Sequence, residues 1–555
     1  METPNRSSRS SSRAPRAAVR VTRRQLLAGA AASGTAVCLS PFVNPIRALA
    51  DQAPLVGGTL QLARLQEPGT LDIHKTPWLD YLIASMQATY LDRDLKGNFI
   101  PDLAERWEVR PDNLAVTLHL RHGVTLHDGT PFTAHVTKAT WDRMLDPSTN
   151  SPGAFQLGTI KQVEVVDDMT VRMVFSAPFA PVFSSLTSAY LAPLSQNALA
   201  KYGAEYGTHP VGAGPFMFER WAPGDSLSVV RYPAYRWASA AHKNHGPAYM
   251  NRIVFRFVPD ENARNIGLRT GEVDIVDGAP VRAALDLQND KRYRIIKLPA
   301  TGINYLGFQC QKPPWNDARV RQAVGYAITN RDEIIRTAYD GFAVPMYAPL
   351  SPNIVPGYDP SLRQVSYEQN YQKAASLLAE AGWKDKNPQG ILLRNGQPFT
   401  AELWVTNDPV YQRVAELIQR YLHEAGIDLK LTIMDDSTLF ASTQKGVHDM
   451  ILAYYGQTDP DIMFYFFHSS RLSTTNRVHY LNPQIDKLLE QGRTTLDVRQ
   501  RAQIYRQAQE IILRDAAWIP LVQRQSPIIA NYRVRDFVIN PVSQDWLLSD
   551  TWLGR

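Results

Sequence analysis

Two features of the sequence predict an α/β fold divided among more than one domain. The first is a repeated order of strand and helix: strand patterns at 252–258 and 399–405 are followed by helix patterns at 262–269 and 410–425. Such runs imply parallel strands joined by helical crossovers. The second is size, because 555 residues of which 44% are hydrophobic can build a large core, and chains of this length divide that core among domains.

The first fifty residues have the composition of an export signal. Seven arginines and no acid lie between Arg6 and Arg24, and residues 26–43 are apolar, rich in Ala and Gly, and too poor in large side chains to span a membrane. The sequence Thr-Arg-Arg-Gln-Leu-Leu at 22–27 resembles a twin-arginine export motif, and Ala-Leu-Ala at 48–50 is a small-x-small cleavage site. The alternative, a disordered basic tail that binds nucleic acid or a membrane surface, leaves the apolar segment unexplained.

Removal of this leader changes the charge and cysteine content of the protein. Residues 1–50 hold eight of the 59 basic residues and one of the 53 acids, so the remainder has 51 basic and 52 acidic residues and a net charge of −1. Nucleic-acid binding needs a concentrated positive charge, so we expect no nucleic-acid partner. Cys38 follows the bulky Val37 in a poor lipidation motif, which favours a freely soluble mature protein. Only Cys310 then remains, so we expect no intrachain disulfide.

The most informative stretch of the mature chain is 103–145, LAERWEVRPDNLAVTLHLRHGVTLHDGTPFTAHVTKATWDRML. Alternating apolar residues at 116–120 predict a half-buried strand. A tight turn follows at 127–131, where Gly129 can adopt a positive φ. Thr133 then supplies a capping hydroxyl for a helix predicted over 133–145.

This stretch resembles the signature region of the extracellular solute-binding proteins that serve peptide, nickel and opine ABC importers. Several other stretches resemble the same family in the same order, so the similarity covers residues 57–545. They are VGAGPFMF at 211–218, YLGFQ at 305–309, PWND at 314–317, DPD at 459–461 and the helix predicted at 501–512.

The resemblance implies a periplasmic binding protein fold of type II, with two lobes joined by a hinge and an extra subdomain in the first lobe. The expected divisions are a signal peptide at 1–50, lobe I at 51–300 with the subdomain at about 93–210, lobe II at 301–524, and a return to lobe I at 525–555. The remaining elements follow from periodicity and from helix-ending residues such as Gly382 and Gly426. Strands are predicted at 58–63, 162–166, 170–175, 226–231, 428–434 and 450–453, and helices at 319–328, 331–339 and 367–381.

The function implied by the resemblance is that of the substrate-binding component of an ABC importer. Such a protein, a periplasmic monomer without a cofactor, captures a peptide-like or opine-like solute between its lobes and delivers it to a permease in the inner membrane. Ligand contacts made by both lobes exist only in the closed form, which a permease can distinguish from the open one. Two alternatives stay open: a periplasmic sensor or chaperone-like binding protein, which the same fold allows, and a hydrolase acting on solutes of that compartment.

Motifs of enzymes and metal sites are absent from the sequence. No Gly-x-Ser-x-Gly, Cys-x-x-Cys or phosphate-binding loop occurs, and His423-Glu424 has Ile427 where a zinc protease needs its second histidine. His119, His122 and His127 lie near one another in the sequence, but a strand and a turn do not bring them together. We therefore expect neither catalysis nor a metal.

Seven residues are predicted to contact the solute. Ligands of open α/β sheets lie outside the carboxyl ends of strands, which favours residues at the ends of the strands at 399–405 and 450–453, together with the segment that crosses between the lobes. Alternatively, these aromatic residues pack in the cores, and the aspartate before Pro460 begins a turn. The predicted contacts are Trp404, Tyr454, Tyr455, Asp459, Tyr305, Trp78 and Tyr81.

One departure from the family pattern affects the choice of solute. In peptide-binding members, an aspartate four residues before the proline of the Asp-Pro motif anchors the α-ammonium of the peptide, and this chain has Gly456 there. A buried ammonium without a counter-charge is costly. Either Asp459 or another carboxylate replaces it, or the solute is not a zwitterionic peptide but a modified peptide, an opine-like conjugate or a small glycoside. Nickel chelates and haem stay open, although no His or Cys cluster indicates them.

Overall fold

A computed structural model of the protein describes residues 53–77, 79–456, 458–472 and 474–555. The predicted export signal and Trp78 lie outside the described residues. No helix among these residues combines the length and the apolar character that crossing a membrane requires.

The strands agree with the pattern-based predictions to within about two residues at each end. The strands of the described chain are β1 Thr59–Arg64, β2 Leu91–Arg93, β3 Phe99–Pro101, β4 Ala104–Val109, β5 Ala115–Leu120, β6 Ile160–Asp167, β7 Thr170–Phe175, β8 Phe216–Ala222, β9 Ser226–Arg231, β10 Arg252–Phe257, β11 Ile275–Val276, β12 Tyr293–Pro299, β13 Asn304–Phe308, β14 Ala343–Pro345, β15 Asp385–Lys386, β16 Leu392–Arg394, β17 Gln397–Pro398, β18 Thr400–Thr406, β19 Asp428–Met434, β20 Met450–Tyr454, β21 Trp518–Asn531, β22 Val534–Arg535 and β23 Trp552–Leu553.

The α-helices begin at polar caps in most cases. Thr133 accepts a hydrogen bond from the Val136 amide at the start of the helix that its hydroxyl predicts. The helices are α1 Tyr81–Ala84, α2 Ala134–Leu145, α3 Val182–Leu186, α4 Gln196–Tyr202, α5 Glu261–Thr270, α6 Val281–Leu287, α7 Ala318–Ile328, α8 Arg331–Ala338, α9 Tyr371–Glu380, α10 Pro409–Glu424, α11 Asp436–Thr443, α12 Ile462–Phe467, α13 Pro483–Thr494 and α14 Val498–Arg514.

The prediction that a helix begins at 367 was wrong by four residues. The helix α9 begins at Tyr371 because the Asn370 side chain accepts a hydrogen bond from the Lys373 amide and caps it. Tyr367 lies before the helix, where its hydroxyl donates to the Leu513 carbonyl at 2.5 Å. The apolar pattern that suggested a longer helix comes from this separately buried tyrosine.

A twelve-stranded sheet runs through the protein. Its order is β19-β18-β20-β13-β21-β11-β1-β10-β9-β8, and β12 and β14 also pair with β21. The first residues of β21 pair with β13, and its last seven pair with β12. This single strand of 14 residues therefore belongs to two parts of the sheet. One part contains β13, β18, β19 and β20, and the other contains β12, β11, β1, β10, β9 and β8. The chain passes between these two parts again between β12 and β13.

The arrangement of strands defines the edge at which the candidate site lies. The strand β18 runs parallel to both β19 and β20, so Thr406, Met434 and Tyr454 end at one edge of the sheet. Asn304, the first residue of β13, pairs with Tyr454 at that edge. The carboxyl ends of parallel strands are where α/β sheets bind ligands.

The three largest hydrophobic clusters of the described residues support the two parts of the sheet. The largest draws its residues from 303–522 and includes the buried Trp315 and Trp518. A second, from 88–238, covers the four-stranded sheet β4-β5-β7-β6 and contains the buried Trp141. The third combines residues of 60–275 with residues of 528–548. Each cluster is thus built from one stretch of chain, or from one stretch completed by the end of the protein.

Candidate functional site

Two cavities lie on either side of a segment made of the end of β20 and the residues that follow it. The first, here called the edge cavity, has a volume of about 320 Å³ and lies at the carboxyl edge of β18 and β20. The second, here called the aromatic cavity, has a volume of about 350 Å³ and lies between residues 155–188 and residues 458–475. Both volumes fall at the lower end of the range for small-molecule sites. The segment 452–462 contributes side chains to each of them.

The edge cavity is lined by polar groups at the ends of strands and helices. Asp408 caps α10 through Oδ1, which accepts from the Val410 amide at 2.7 Å, and its Oδ2 lies 3.6 Å from Nη1 of Arg524. Asn304 is 4% exposed, and its Nδ2 donates no hydrogen bond to any described residue. A buried amide without a partner is costly, so a ligand group that accepts from Asn304 would be stabilised here.

The aromatic cavity has apolar walls from two distant parts of the chain. Phe155, Phe179 and Pro181 line one side, and Ile462 and Phe466 line the other. Phe155 is 56% exposed although its neighbours in the wall are mostly buried.

Asp459 lies at the wall of the aromatic cavity but is held in a buried ion pair. Arg501 donates from Nη2 to Oδ1 at 2.6 Å and from Nη1 to Oδ2 at 3.0 Å, and Ser184 Oγ donates to Oδ2 at 2.5 Å. Burial opposes ionisation of this carboxyl, but the charge of Arg501 and these hydrogen bonds outweigh it and hold its pKa below the ordinary value. Both oxygens of Asp459 are therefore already occupied by protein donors.

Asp461, two residues further on, was not among the predicted contacts. Its Oδ1 lies 3.1 Å from Nε of Arg493, but no described group donates a hydrogen bond to that oxygen with good geometry. Burial raises the pKa of Asp461 to about 7, although the charge of Arg493 acts in the opposite direction. The sequence signal that could have found it is the second aspartate of Asp-Pro-Asp at 459–461.

Four predicted aromatic contacts come from β13, β18 and the end of β20, and one of the four lines a cavity. Tyr454 lines the edge cavity and is 48% exposed. Tyr455, the residue after β20, is buried, and its hydroxyl donates to the Pro349 carbonyl. Trp404 is buried beside His448, with ring centroids 5.5 Å apart. Tyr305 is fully buried and stacks on Trp518 at 3.6 Å.

Tyr81 and Trp78 complete the set of predicted aromatic contacts. The Tyr81 hydroxyl donates to Oδ2 of Asp277 at 2.7 Å, and its ring stacks on Trp546 at 3.8 Å. Tyr81 lines a third, smaller cavity of about 90 Å³ rather than either cavity beside β20. Trp78 lies outside the described residues. The structure therefore brings Tyr454 and Asp459 to the two sides of one segment. It buries Trp404, Tyr455 and Tyr305 in the core and places Tyr81 at the small third cavity.

Backbone packing fixes the position of this segment. A Cβ atom on Gly302 would lie 1.6 Å from the carbonyl oxygen of Tyr455, so the crossing segment between β12 and β13 contacts the backbone just before Gly456 directly. Gly456 itself supplies no side chain at the position discussed above. Residue types other than glycine do not fit at 302 without moving one of the two chains.

Hydrogen bonds between distant parts of the chain lie beside the aromatic cavity. Besides the Ser184–Asp459 hydrogen bond, Arg93 donates from Nη1 to the Val355 carbonyl at 2.7 Å. The Ala180 amide donates to the Arg493 carbonyl at 2.7 Å. These bonds join residues 93–184 to residues 355–493, and residues of both stretches line the cavity.

His119 and His127 each contact a different protein group. His119 lies 3.0 Å from the Glu108 carboxylate, whereas His127 is half-buried with Nε2 3.0 Å from the Gly214 carbonyl, and loss of solvent around the ring lowers its pKa to about 4. Within 53–77, 79–456, 458–472 and 474–555, no group of three or more His, Cys, Asp and Glu side chains is arranged to hold a metal ion.

Comparison with known proteins gives consistent similarities. Residues 98–476 match the family described as bacterial extracellular solute-binding proteins, family 5 middle. The glutathione-binding protein GsiB of Shigella flexneri serotype 5b is 30% identical over 443 residues, which cover 78% of this chain and 82% of that protein. HbpA2 from Haemophilus parasuis superposes with a TM-score of 0.78 at 26% identity, covering 90% of this chain and all of that one.

A liganded structure is similar as well. The ABC transporter-associated periplasmic binding protein DppA from Helicobacter pylori, in complex with peptide STSA, superposes with a TM-score of 0.69 at 25% identity. The superposition covers 90% of this chain and 99% of DppA.

Proposed function

Because the chain belongs to family 5 of the bacterial extracellular solute-binding proteins, with their type II binding-protein fold, we propose that it captures a small peptide-like or opine-like solute for an ABC importer. Proteins of this family bind solutes and do not transform them, so the chain is a binding protein rather than an enzyme. GsiB binds glutathione and DppA binds a peptide, which supports a peptide-like solute here.

The observation that carries the proposal is the pair of cavities on either side of the segment 452–462. The aromatic cavity is enclosed by residues 155–188 on one side and 458–475 on the other. A solute held there contacts both sides at once. Tyr454 and the loop around Asp459 are the sequence-predicted contacts that we retain for the solute site.

We assign the two sides to two lobes, with lobe I at 51–300 and 525–555 and lobe II at 301–524. The subdomain at about 93–210 then forms the roof of the aromatic cavity. The strand β21 and the segment between β12 and β13 connect the lobes, and they act as the hinge. Capture at 1 μM requires a net binding free energy of about 8 kcal/mol, which apolar walls with a few fixed polar groups can supply.

The cellular setting follows from the leader. The arginine pair at 23–24, the apolar stretch and the Ala-x-Ala site favour export through the twin-arginine pathway. The mature protein then works as a monomer in the periplasm and passes its solute to a permease in the inner membrane.

The direct test is native mass spectrometry of the mature protein isolated from the periplasm of its own organism. We expect one small molecule per protein, recovered with its mass unchanged, and restored binding of that molecule after its removal by partial unfolding. Thermal unfolding then checks specificity, because a ligand at 100 times its Kd adds about 2.7 kcal/mol to stability. Conversion of the molecule into a product, or no saturable binding by any periplasmic solute, would contradict the proposal.

A further inference from the structure

We propose that Arg93 is a positioning residue for lobe closure: its guanidinium bridges the two lobes, so that a measurable fraction of the molecules is closed before a solute binds. The inference rests on the proposed function, which assigns residues 51–300 and 525–555 to lobe I and residues 301–524 to lobe II. It adds a source of closing free energy that belongs to the protein alone and is therefore the same for every solute.

The guanidinium of Arg93 contacts both lobes at once. Its Nη1 donates to the Val355 carbonyl of lobe II at 2.7 Å and to the Gly97 carbonyl of lobe I at 3.2 Å. Its Nη2 donates to Ser184 Oγ of lobe I at 2.8 Å. Arg93 is 1% exposed, although arginine is almost never fully buried without a partner. One buried cation therefore takes its acceptors from both lobes.

Ser184 extends this bridge to a charge in the other lobe. The hydroxyl that accepts from Arg93 donates to Oδ2 of Asp459 at 2.5 Å, and Asp459 is paired with Arg501 inside lobe II. Burial lowers the pKa of Arg93 to about 10, and of the acids that oppose this effect Asp459 acts most strongly. The cation of lobe I is thus stabilised by an anion of lobe II.

Residues of lobe I hold Arg93 in this position. Nδ2 of Asn540 donates to the Arg93 carbonyl at 2.8 Å, and the guanidinium carbon lies 4.4 Å from the centroid of the Phe99 ring. An arginine stacked on an aromatic ring keeps the donors at the edge of its guanidinium plane available. The donors are therefore oriented within lobe I, and little side-chain freedom is lost when the Val355 carbonyl meets them.

The loop around Val355 also packs against lobe I. A Cβ atom on Gly97 would lie 2.9 Å from Cβ of Val355, so the turn between β2 and β3 touches this loop directly. Nδ2 of Asn353, in the same loop, donates to the Pro541 carbonyl of lobe I. Neither Arg93 nor Val355 lines the edge cavity or the aromatic cavity. The hydrogen bond between them therefore does not depend on which solute is bound.

Separation of the lobes removes the Val355 carbonyl and the Asp459 carboxylate from the bridge. Water then replaces the lost acceptors, so the open form is stable as well and the two forms coexist. A hydrogen bond from a charged donor still contributes a net stabilisation relative to water. A closed fraction in the solute-free protein raises the apparent affinity for any solute, because less of the binding free energy goes into closure.

The test measures the distance between the lobes by double electron–electron resonance, with one nitroxide label on each lobe. Val166→Cys and Val447→Cys provide the two sites, because both side chains are exposed, and Cys310, the other cysteine that follows the leader, is buried. Protein as isolated from the periplasm with its solute gives the closed distance. We expect protein freed of solute by partial unfolding and refolding to show a closed and an open distance. Arg93→Met should lower the ratio of closed to open molecules at least about fivefold.

Arg264→Met is the matched control, because it removes a second buried arginine whose contacts stay inside one lobe. Arg264 is 4% exposed. Its guanidinium donates to the carbonyls of three lobe I residues, Val258, Pro259 and Gly278. Its loss should lower the melting temperature and leave the ratio of closed to open molecules unchanged. A merely structural role of Arg93 would give the same result as this control.

Ser184→Ala is the second variant, used if Arg93→Met does not fold. It breaks the link between Arg93 and Asp459 with a smaller change and should also lower the ratio of closed to open molecules. Ser184 lines the aromatic cavity, but the ratio is measured without solute, so a lost solute contact does not affect it.

Three results would overturn the inference. They are a solute-free wild type that shows the open distance alone, an equal fall of the ratio in Arg264→Met, and an unchanged ratio in Arg93→Met, or in Ser184→Ala where Arg93→Met does not fold. A distance that is identical in the loaded and the solute-free wild type would contradict the proposed closure of two lobes together with the inference. A distance that changes with loading but not with Arg93 would contradict the inference alone.

Discussion

The Asp459→Asn substitution tests whether this aspartate stabilises the fold or contacts the solute. In the structure its carboxylate holds Arg501 by two hydrogen bonds, and the side chains are only 12% and 4% exposed. The asparagine keeps the shape but leaves the guanidinium buried without its counter-charge. Removing one partner of a buried pair costs about 3–5 kcal/mol, which is a large part of the usual stability of a folded protein.

The pH dependence of the same variant has a defined sign. The native pKa of Asp459 lies below its ordinary value, so its contribution to stability is fully present above the unfolded pKa of about 4 and is lost as pH falls through the native pKa. The variant should therefore lose most stability near neutral pH, and the loss should shrink as pH falls below about 4 and through the native pKa. The wild type and the variant should converge in acid.

The assay is urea unfolding followed by tryptophan fluorescence, at pH 7 and in acid. A double variant, Asp459→Leu with Arg501→Met, should lose less stability than Asp459→Asn alone, because it removes both charges together. The reasoning is refuted if Asp459→Asn keeps the stability of the wild type at pH 7 and instead loses solute binding. That result would make Asp459 a ligand group, as the sequence suggested.

Three further predictions concern the hinge, the edge cavity and the buried acids. Gly302→Ala should cost about 3 kcal/mol by overpacking the Tyr455 carbonyl, measured by urea unfolding, whereas Gly69→Ala, with open space around it, should cost less than about 1 kcal/mol. Tyr454→Ala removes a half-exposed side chain and should weaken binding of the co-purified solute at least about threefold in calorimetry, with little change in stability. Unchanged affinity would contradict the role of Tyr454 as a solute contact. Burial, together with neighbouring Asp92, raises the pKa of Asp102 to about 7, so stability should fall from about pH 4 to 7 as the native carboxyl is forced to ionise, and Asp102→Asn should flatten that fall in a series of melting curves.

Local patterns in the sequence were sufficient for most of the elements. Thr133 and Asn370 cap helices through their own side chains, so the information lies within a few residues of each boundary. The apolar pattern at 367–381 indicated an earlier start than the Asn370 cap, and that start was wrong. The overall fold was predicted from the family resemblance. Local patterns could not predict it, because the pairing of β21 with both β13 and β12 joins residues more than 200 positions apart.

Fewer residues of the candidate site could be predicted, because packing between distant parts of the chain decides which side chains line the cavities. The strand β13 is buried on both faces, so Tyr305 stacks in the core although its place in the crossing segment suggested the cleft. Tyr454 ends β20 and Tyr455 follows it, and the sequence does not say which of the two rings faces the interior. Asp459 is paired with Arg501, which is 42 residues away in the sequence. The sequence pattern therefore does not show that this carboxylate is already occupied.

Small-angle X-ray scattering of the mature protein tests the central claim, that two lobes close over a solute between them. Profiles are recorded on protein freed of solute and again with the co-purified molecule at saturation. We predict a smaller radius of gyration and a smaller maximum dimension in the saturated sample, with the solute recovered intact. Superimposable profiles at proven saturation would contradict the account.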